Sequence, residues 1–422
     1  MAPCWTVRAV FFVSDSVAPP VSAASTAMTP LERRASISLA SIFALRMLGL
    51  FLVLPVFALE ARKYPGGEDP ALLGLAMGIY GLTQGLLQLP FGMASDRFGR
   101  KRVIVLGLLI FAVGSFWAAA ATDLHALLVG RSLQGAGAVS AAVTALLADL
   151  TRDEVRTKAM ALVGASIGLM FAVSLVLAPM LAALVGLAGL FAITGVLALL
   201  GVAVIVWGAP PAPPIQPGLP RGRLADVLRH AGLMRMNLGV FVLHAVQLAM
   251  WVAVPALLVQ AGLPKDAHWQ VYLPAVLGSF VLMGGMFALE RRGHLKKVFL
   301  AAILLIACVQ VGLLAVSSGT PRLSWLAGLL FAFFCGFNVL EATQPSMVSR
   351  LAPMQVRGTA MGVYNTLQSL GFFVGGWMGG SLVKPWGSQM LFLCCAAAML
   401  LWWLVALPMQ APGRGQVAPQ TP

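Results

Sequence analysis

Four ionisable side chains lie deep inside long apolar segments of this sequence. They are Arg46, Arg131, His244 and Glu341. At about 1.5 Å per helical residue, each lies roughly 10–14 Å from the nearer segment end, where a charge facing hydrocarbon is costly. A carboxyl in an apolar cavity can bind and release a proton, an imidazole titrates near neutral pH, and a guanidinium stays charged and can tune its neighbours. The pattern predicts either a proton or ligand site, with Glu341 as first proton carrier and His244 as second, or internal pairs that only fix helix packing.

The segments that carry these residues are long enough to cross a membrane. The chain has 422 residues, of which 59% are hydrophobic and 10% charged, and its mean hydropathy is +0.90. This composition exceeds what a soluble core can bury, and crossing about 30 Å of hydrocarbon takes roughly 20 apolar residues in a helix. We expect an all-α integral membrane protein with twelve spans in two pseudo-symmetric bundles of six. The predicted spans are 37–59, 71–93, 103–121, 123–149, 158–183, 187–208, 237–260, 269–289, 296–316, 323–349, 356–383 and 387–408.

The basic residues predict the orientation of the chain. The formal net charge is +14, as in many nucleic-acid-binding proteins, but those proteins gather Lys and Arg on a soluble face. Here the basic residues fall between the apolar segments. With both termini in the cytoplasm, the inner segments carry 21 Lys and Arg residues and the outer segments carry five, in agreement with the positive-inside rule. We therefore expect both termini inside and no nucleic-acid partner.

The segments between and beyond the spans divide the chain into five parts. The parts are an N-terminal extension expected to be disordered (1–30), a first six-helix bundle (31–208), a cytoplasmic linker (209–236), a second six-helix bundle (237–408) and a short cytoplasmic tail (409–422). The run MTPLERRA offers an alternative start at Met28. The linker opens with the proline-rich run APPAPPIQPGLP, which favours an extended chain. Its second part suits either a short helix on the inner membrane face or a solvated loop.

The two predicted bundles repeat each other in sequence. GMASDRFGRKR begins at Gly92, and GMFALERRGHLKK begins at Gly285, 193 residues later. VRTKAMA begins at Val155, and VRGTAMG begins at Val356, 201 residues later. Two pairs of matching runs, in the same order and at nearly one offset, predict that the second half is a parallel copy of the first.

Two motifs give the chain a resemblance to a known family. They consist of Gly92, Asp96, Arg97, Gly99, Arg100 and Lys101 after the second predicted span, and of Arg131, Gln134, Gly135 and Gly137, in the pattern R-x-x-Q-G-x-G, in the fourth. Over residues 30–408 the chain resembles the major facilitator superfamily, and within it the drug:proton antiporter-like group. The resemblance implies that spans 1, 4, 7 and 10, which hold the four buried ionisable residues, line a central cavity.

The resemblance also implies a gate at the cytoplasmic face. In the outward-open state Asp96 would face the start of the eleventh span, and Arg100 would face Asp149 at the inner end of the fourth. Anchoring by positive charge explains Arg97 and Lys101 without any gate, but it does not require Asp96. The motif therefore predicts a conformational role for the acid as well as for its basic neighbours.

A further motif of the family concerns helix packing in the fifth span. Its members in this chain are Gly164, Gly168 and Pro179. The family pattern ends in Gly-Pro and a glycine pair, whereas this chain has Ala178-Pro179 and then alanines. These residues are still small, so the resemblance implies that close helix packing is kept. Because the chain departs from the family pattern here, the resemblance implies the direction of antiport less strongly.

These observations favour a transporter. A cavity whose lining spans are rich in Met, Phe and Leu can bind many ligands. We therefore expect a proton-coupled exporter, or antiporter, of amphipathic small molecules that works by alternating access. The alternative is a proton-coupled or facilitative carrier of one specific metabolite, such as an anion bound by Arg46 and Arg131. The sequence shows no nucleophile–base pair, metal cluster or phosphate-binding loop, so we expect no enzyme activity, metal or cofactor. We expect a monomer, in contact with lipid, in a bacterial inner membrane.

Overall fold

The computed structural model describes residues 27–212, 224–289, 294–353 and 356–409. Within these ranges the chain is helical and contains no strand. Several predicted features lie outside the described residues. They are the extension before residue 27, the linker residues 213–223, Arg291 and Arg292 of the repeated motif, and the tail after residue 409.

Twelve α-helices follow one another along the described chain. They are α1 (Pro30–Glu60), α2 (Pro70–Phe98), α3 (Arg100–Ala119), α4 (Leu124–Ala136), α5 (Ser140–Asp149), α6 (Asp153–Ala203), α7 (Leu224–Arg229), α8 (Ala231–Gln260), α9 (Trp269–Leu289), α10 (Leu295–Ser317), α11 (Leu323–Leu351) and α12 (Arg357–Ala406). A π-helical turn, Val204–Gly208, extends α6. The short helix α7 lies in the second part of the linker, and its Val227 is fully buried.

The lengths of the helices match a chain that crosses a membrane many times. The described residues contain nine helical segments that are long and apolar enough to span, and α4 with α5 counts as one of them. Two of the nine, α6 and α12, have 51 and 50 residues, or about 75 Å each, more than twice the hydrocarbon thickness. Each is interrupted by one glycine outside helical geometry and so divides into two spans. Together with the apolar 21-residue α9, these lengths support the twelve predicted spans.

The interruptions in α6 and α12 also match the internal repeat. Gly186 has φ 65° and ψ −172°, and Gly387 has φ 72° and ψ −178°. A positive φ is open to glycine because it has no Cβ. The two glycines are 201 residues apart, which is the offset between the sequence repeats that open at Val155 and Val356. The second half of the chain therefore repeats the backbone break of the first half as well as its motifs.

The first helix begins earlier than hydropathy predicts. The sequence places the first span at 37–59, whereas α1 starts at Pro30. Thr29 and Glu32 form a reciprocal capping box, in which each side chain accepts a hydrogen bond from the other residue's backbone N–H. Arg152, from the start of α6, donates to the same Glu32 carboxylate. Such a cap satisfies free N–H groups of the first turn. The polar residues before 37 therefore form a helical turn, although their low hydropathy did not predict one.

The fourth predicted span, 123–149, is not one continuous helix. It ends as α4 at Ala136 and resumes as α5 at Ser140. A Cβ on Gly137 would lie 2.4 Å from the carbonyl oxygen of Gly107 in α3, so the backbones of these two segments touch. The interruption thus coincides with a close backbone approach, which the sequence alone does not reveal.

Close helix packing through glycines joins the two halves at α2 and α12. A Cβ on Gly74 would lie 2.2 Å from the carbonyl oxygen of Gly376, and one on Gly81 would lie 2.3 Å from that of Ser369. No side chain fits at such distances, so glycine is required for this contact. Glycines spaced three or four residues apart on one helix typically allow two membrane helices to approach closely.

The structure places the predicted packing motif of the fifth span in the first part of α6. Pro179 lies inside this helix, and the neighbouring Ala178 and Ala182 are buried. A Cβ on Gly164 would meet no atom within 4 Å, and one on Gly168 would meet only Phe280 Cζ, at 4.0 Å. The packing role of the motif stays a prediction.

Candidate transport site

Two of the four buried ionisable residues meet in the second half. His244 on α8 and Glu341 on α11 lie 3.2 Å apart, measured from Nε2 to Oε2. The amide nitrogen of Gln368, on α12, is 2.8 Å from His244 Nε2 and 3.3 Å from Glu341 Oε1. Three different helices thus supply one polar cluster. We call His244 and Glu341 the His–Glu pair, and Gln368 is their neighbour.

The hydrogen-bond partners of His244 orient its ring. Its Nδ1 lies 2.8 Å from the carbonyl oxygen of Val240, which can only accept, so Nδ1 carries a hydrogen. Nε2 is therefore the nitrogen that faces the Glu341 carboxyl, and the Oε2 atom of that carboxyl is itself buried.

Exposure and packing differ between the two members of the pair. His244 is only 2% exposed, whereas the Glu341 side chain is 39% exposed. The rings of Phe372 and Phe337 meet the His244 ring edge-on, with centroids 4.9 Å and 5.9 Å away. The imidazole is therefore held in an apolar wall, and Glu341 is the more exposed member of the pair, although its Oε2 atom is buried.

The first half holds the other two residues in a different way. Arg46 on α1 is 2% exposed. It donates to the hydroxyl of Tyr80 on α2 at 2.8 Å and to that of Ser140 on α5 at 2.9 Å. Its guanidinium also lies 5.5 Å from the centre of the Phe111 ring. All of these partners are uncharged.

Arg131 on α4 is likewise bound by uncharged groups. It donates to the Gln134 side chain at 2.9 Å and to the carbonyl oxygens of Met77 and Ala76 at 3.2 Å and 3.4 Å. Its guanidinium lies 5.0 Å from the centre of the Tyr80 ring. Among the described residues, neither Arg46 nor Arg131 has a carboxylate within ion-pair distance.

Tyr80 links the two arginines, since its hydroxyl binds Arg46 and its ring face lies next to Arg131. The sequence analysis did not single out Tyr80, Ser140 or Gln368. Tyr80 could have been found as a residue with a polar tip in the middle of the second predicted span. Nothing in the local sequence distinguishes Ser140 or Gln368 from helix-packing residues.

Residues at the inner face carry the loop motif between α2 and α3. Arg100 Nε lies 3.0 Å from Asp149 Oδ2, the partner that the family resemblance implies, and Arg100 also pairs with Asp96. Gly99 has φ 99° and joins the two helices. The Arg97 guanidinium lies over the Phe98 ring, and a Cβ on Gly92 would make ordinary contact with Ala141.

Two ion pairs cross between the halves at the opposite end of the molecule. Lys265, in the turn before α9, binds Glu60 at the end of α1, and Glu60 also binds Lys63. Lys384 Nζ on α12 lies 3.0 Å from Asp69 Oδ2, just before α2. The Lys384 ammonium, together with the backbone N–H of Ala71, holds the pKa of Asp69 below its ordinary value. The two halves are thus tied at the end opposite to the loop motif, which is the outer end in the predicted orientation.

Comparison with known proteins identifies the family of this chain. The model of the Major Facilitator Superfamily matches residues 39–376 and 296–422. YajR, an inner membrane transport protein of Escherichia coli K12, is 40% identical over 390 residues, which cover 91% of this chain and 85% of YajR. The chain belongs to the Major Facilitator Superfamily. It is a secondary transporter, and it is not an enzyme.

Other members of the superfamily are similar over shorter stretches or in fold alone. The class B tetracycline resistance protein of Escherichia coli is 34% identical over 124 residues, which cover 29% of this chain and 31% of that protein. The crystal structure of a D-xylose–proton symporter shares the fold, with a TM-score of 0.74, 15% identity, and coverage of 91% of this chain and 99% of that chain. The predicted all-α fold of the superfamily is confirmed.

Proposed function

We propose that this transporter exchanges protons for an amphipathic small molecule and that the His–Glu pair is the proton site. The observation that carries the proposal is the 3.2 Å approach of His244 Nε2 to Glu341 Oε2 near the middle of the spans. Glu341 is the exposed member and receives the proton, and His244 stabilises the carboxylate when the pair retains its proton on Nε2. A carboxylate without proton or partner at this depth would be costly, so its charge state is coupled to what else occupies the site.

The walls next to the pair support an amphipathic substrate. Phe337 and Phe372 border His244, and Phe171 on α6 meets Phe334 on α11 with ring centroids 6.0 Å apart. Aromatic walls bind apolar surfaces of many shapes without demanding fixed polar contacts. A drug-resistance relative over about a third of the chain is in keeping with this substrate class.

Alternating access in this proposal uses the contacts at the two ends of the molecule. The ties from Glu60 to Lys265 and from Asp69 to Lys384 hold the outer ends of the halves together, so these ties must open for outward release. At the inner end, Asp96, Arg100 and Asp149 form the gate, to which Gly92, Arg97, Gly99 and Lys101 belong. The outward-open state would bring Asp96 against the start of α12.

Substrate-dependent proton flux in proteoliposomes tests this function. The purified transporter is reconstituted with a pH-sensitive dye inside, and a panel of amphipathic cations, neutral drugs and organic anions is added in turn. We expect amphipathic compounds to release a stored proton gradient, and empty vesicles to show no such release. Transport of panel compounds without any proton movement would overturn proton coupling.

A specific carrier of an anionic metabolite is the second candidate. It is favoured by Arg46 and Arg131, two guanidinium groups that have only uncharged partners among the described residues. An anion would supply the missing charge if the cavity opened to them. In the same flux assay, this function predicts a response to one organic anion and none to the amphipathic drugs.

We propose that the transporter lies as a monomer in a bacterial inner membrane with both termini in the cytoplasm. The excess of basic residues in the inner segments supports the orientation, and YajR is itself an inner membrane protein. An engineered cysteine within 65–69 should react with an impermeant reagent from the periplasmic side. Reaction from the cytoplasmic side alone would reverse the topology.

A further inference from the structure

A groove on the inner end of the first half is not used by the transport mechanism. It has a volume of about 440 Å³ and lies at the start of α1, where Met28, Arg33, Arg34 and Ile37 are among its lining residues. Arg33 is exposed. One side of the groove is therefore basic, and the other is apolar.

The basic side of the groove keeps its positive charge. Arg34 donates from Nε to the carbonyl oxygen of Gly208 at 2.9 Å and from Nη2 to that of Trp207 at 3.2 Å. Lys101 donates to the next carbonyl, that of Ala209, at 2.7 Å. These acceptors are neutral, and in the described part of the chain no carboxylate forms an ion pair with Arg33, Arg34 or Lys101. Arg34 and Lys101 thus bind the end of α6, Arg33 lines the groove beside Arg34, and among the described residues no carboxylate pairs with any of the three.

The apolar side of the groove lies at the level of the membrane surface. Ile37 is 50% exposed and Leu31 is 56% exposed on the outside of α1. Trp207, whose carbonyl oxygen binds Arg34, is 76% exposed. Tryptophan side chains concentrate where hydrocarbon meets the lipid headgroups. The groove therefore presents cations at headgroup depth with exposed apolar side chains beside them.

We propose that this groove binds the headgroup of an anionic phospholipid. Basic pockets between membrane helices on the cytoplasmic side are suited to such headgroups, and a guanidinium forms strong charge-assisted hydrogen bonds with phosphate. Arg33 and Arg34 supply the charge, and Ile37 contacts the upper part of an acyl chain. A free phosphate ion would use the same cations but would gain nothing from the apolar side. Because Arg34 also binds the end of α6, the bound lipid stabilises the contact between α1 and α6.

Native mass spectrometry of the full chain in detergent tests the proposal. The protein is titrated with phosphatidylglycerol or phosphatidylcholine, and the affinity of the first bound lipid is measured. A basic residue near the membrane surface changes the binding of anionic lipid by about fivefold. We expect Arg33→Gln to weaken the first phosphatidylglycerol about fivefold and Arg33→Gln with Arg34→Gln to weaken it further. Phosphatidylcholine binding should not change.

Arg229→Gln is the matched control, because Arg229 is an exposed arginine on α7 at the same face. An equal loss of phosphatidylglycerol in this control would overturn the proposal in favour of general surface charge. Inorganic phosphate that displaces the lipid at equal concentration would overturn the apolar part of the site. The Arg33 side chain forms no hydrogen bond or ion pair with the described residues, so Arg33→Gln tests the groove even if the Arg34 variant does not fold.

Discussion

The two halves of this transporter share a fold but treat their buried charges differently. In the first half, Arg46 and Arg131 are enclosed by hydroxyl, amide, carbonyl and aromatic groups, and each is less than 5% exposed. In the second half, His244 and Glu341 face each other, and the carboxyl is partly exposed. The first arrangement surrounds each charge with uncharged groups, whereas the second places an imidazole next to a carboxyl group.

The difference shows how the two copies of a duplicated bundle can give their buried charges different roles. A charge that donates hydrogen bonds to fixed neighbours stabilises one arrangement of its helices, because moving any of these neighbours leaves a further buried donor unpaired. A shared proton between two groups allows the charge to change while the helices stay in place. We infer that the first half supplies a constant positive field and that the second half responds to pH.

The largest effect is expected from a substitution at the proposed proton site in the second half. Glu341→Gln keeps the shape and polarity of the protonated carboxyl, so substrate exchange across the vesicle membrane should persist. Transport driven by a pH gradient should fall to background. Proteoliposome assays with and without the gradient make this comparison within one preparation.

Two other outcomes of the Glu341→Gln experiment are informative. If pH-driven transport survives, the proton site lies elsewhere, and His244→Gln is the next variant to test. If the protein fails to reach the membrane, Glu341 serves only in packing.

A smaller effect is expected at the inner gate. Asp96→Asn removes a charge that we propose is needed in only one conformation, so transport should fall while the amount of protein in the membrane stays the same. A loss of about 1.4 kcal/mol in the balance between conformations corresponds to roughly tenfold. Asp226→Asn is the control, because Asp226 is an exposed acid on α7. Equal transport by the Asp96 variant at matched expression would refute the gate.

Paired tyrosine variants sharpen the comparison between the halves. Tyr80→Phe leaves a buried Arg46 N–H without its acceptor, and such an unsatisfied donor costs about 1–3 kcal/mol. Tyr364→Phe in the second half removes only a long hydrogen bond of 3.4 Å to the neutral Gln344. Thermal unfolding in detergent should therefore show a clear drop for Tyr80→Phe and a smaller one for Tyr364→Phe. The reverse order would mean that Arg46 does not depend on Tyr80.

The smallest expected effects lie at the outer ties between the halves. Lys265→Gln removes one of the two ammonium groups that bind the Glu60 carboxylate, which is only 3% exposed. The outer ends of the halves should therefore separate more often. Lys384 and Asp69 are both more than one-third exposed, and solvent screens such pairs, so Lys384→Gln should change little. Spin labels at residues 62 and 260, one on each half, report the separation. Identical distance distributions for wild type and Lys265→Gln would show that this tie does not hold the halves.

Much of the fold was predictable because each span is encoded by one contiguous segment of the sequence. Runs of about 20 apolar residues predicted the helices, and the repeated motifs predicted the two related halves. Errors arose where the backbone leaves helical geometry inside an apolar run, as at Gly137, or where a cap extends a helix into polar sequence, as at Thr29. The close glycine contacts between α2 and α12 were not among the predicted packing motifs.

The candidate site was predictable in its members but not in its pairing. Depth within an apolar span singled out Arg46, Arg131, His244 and Glu341, because ionisable residues are rarely buried there without a purpose. Their partners Tyr80 and Gln368 gave no comparable signal, since hydroxyl and amide side chains also serve ordinary contacts between helices.

The sequence by itself determined that this chain spans a membrane, that it repeats, and that four ionisable groups lie deep within it. These properties depend on transfer of side chains from water to hydrocarbon, which is largely a sum over neighbouring residues. Only the tertiary structure decided that His244 meets Glu341 while the arginines meet neutral groups. Successive residues point about 100° apart around a helix, so a small rotation of one helix changes which side chains meet. That rotation is set by packing among all the helices, and no single segment of the sequence encodes it.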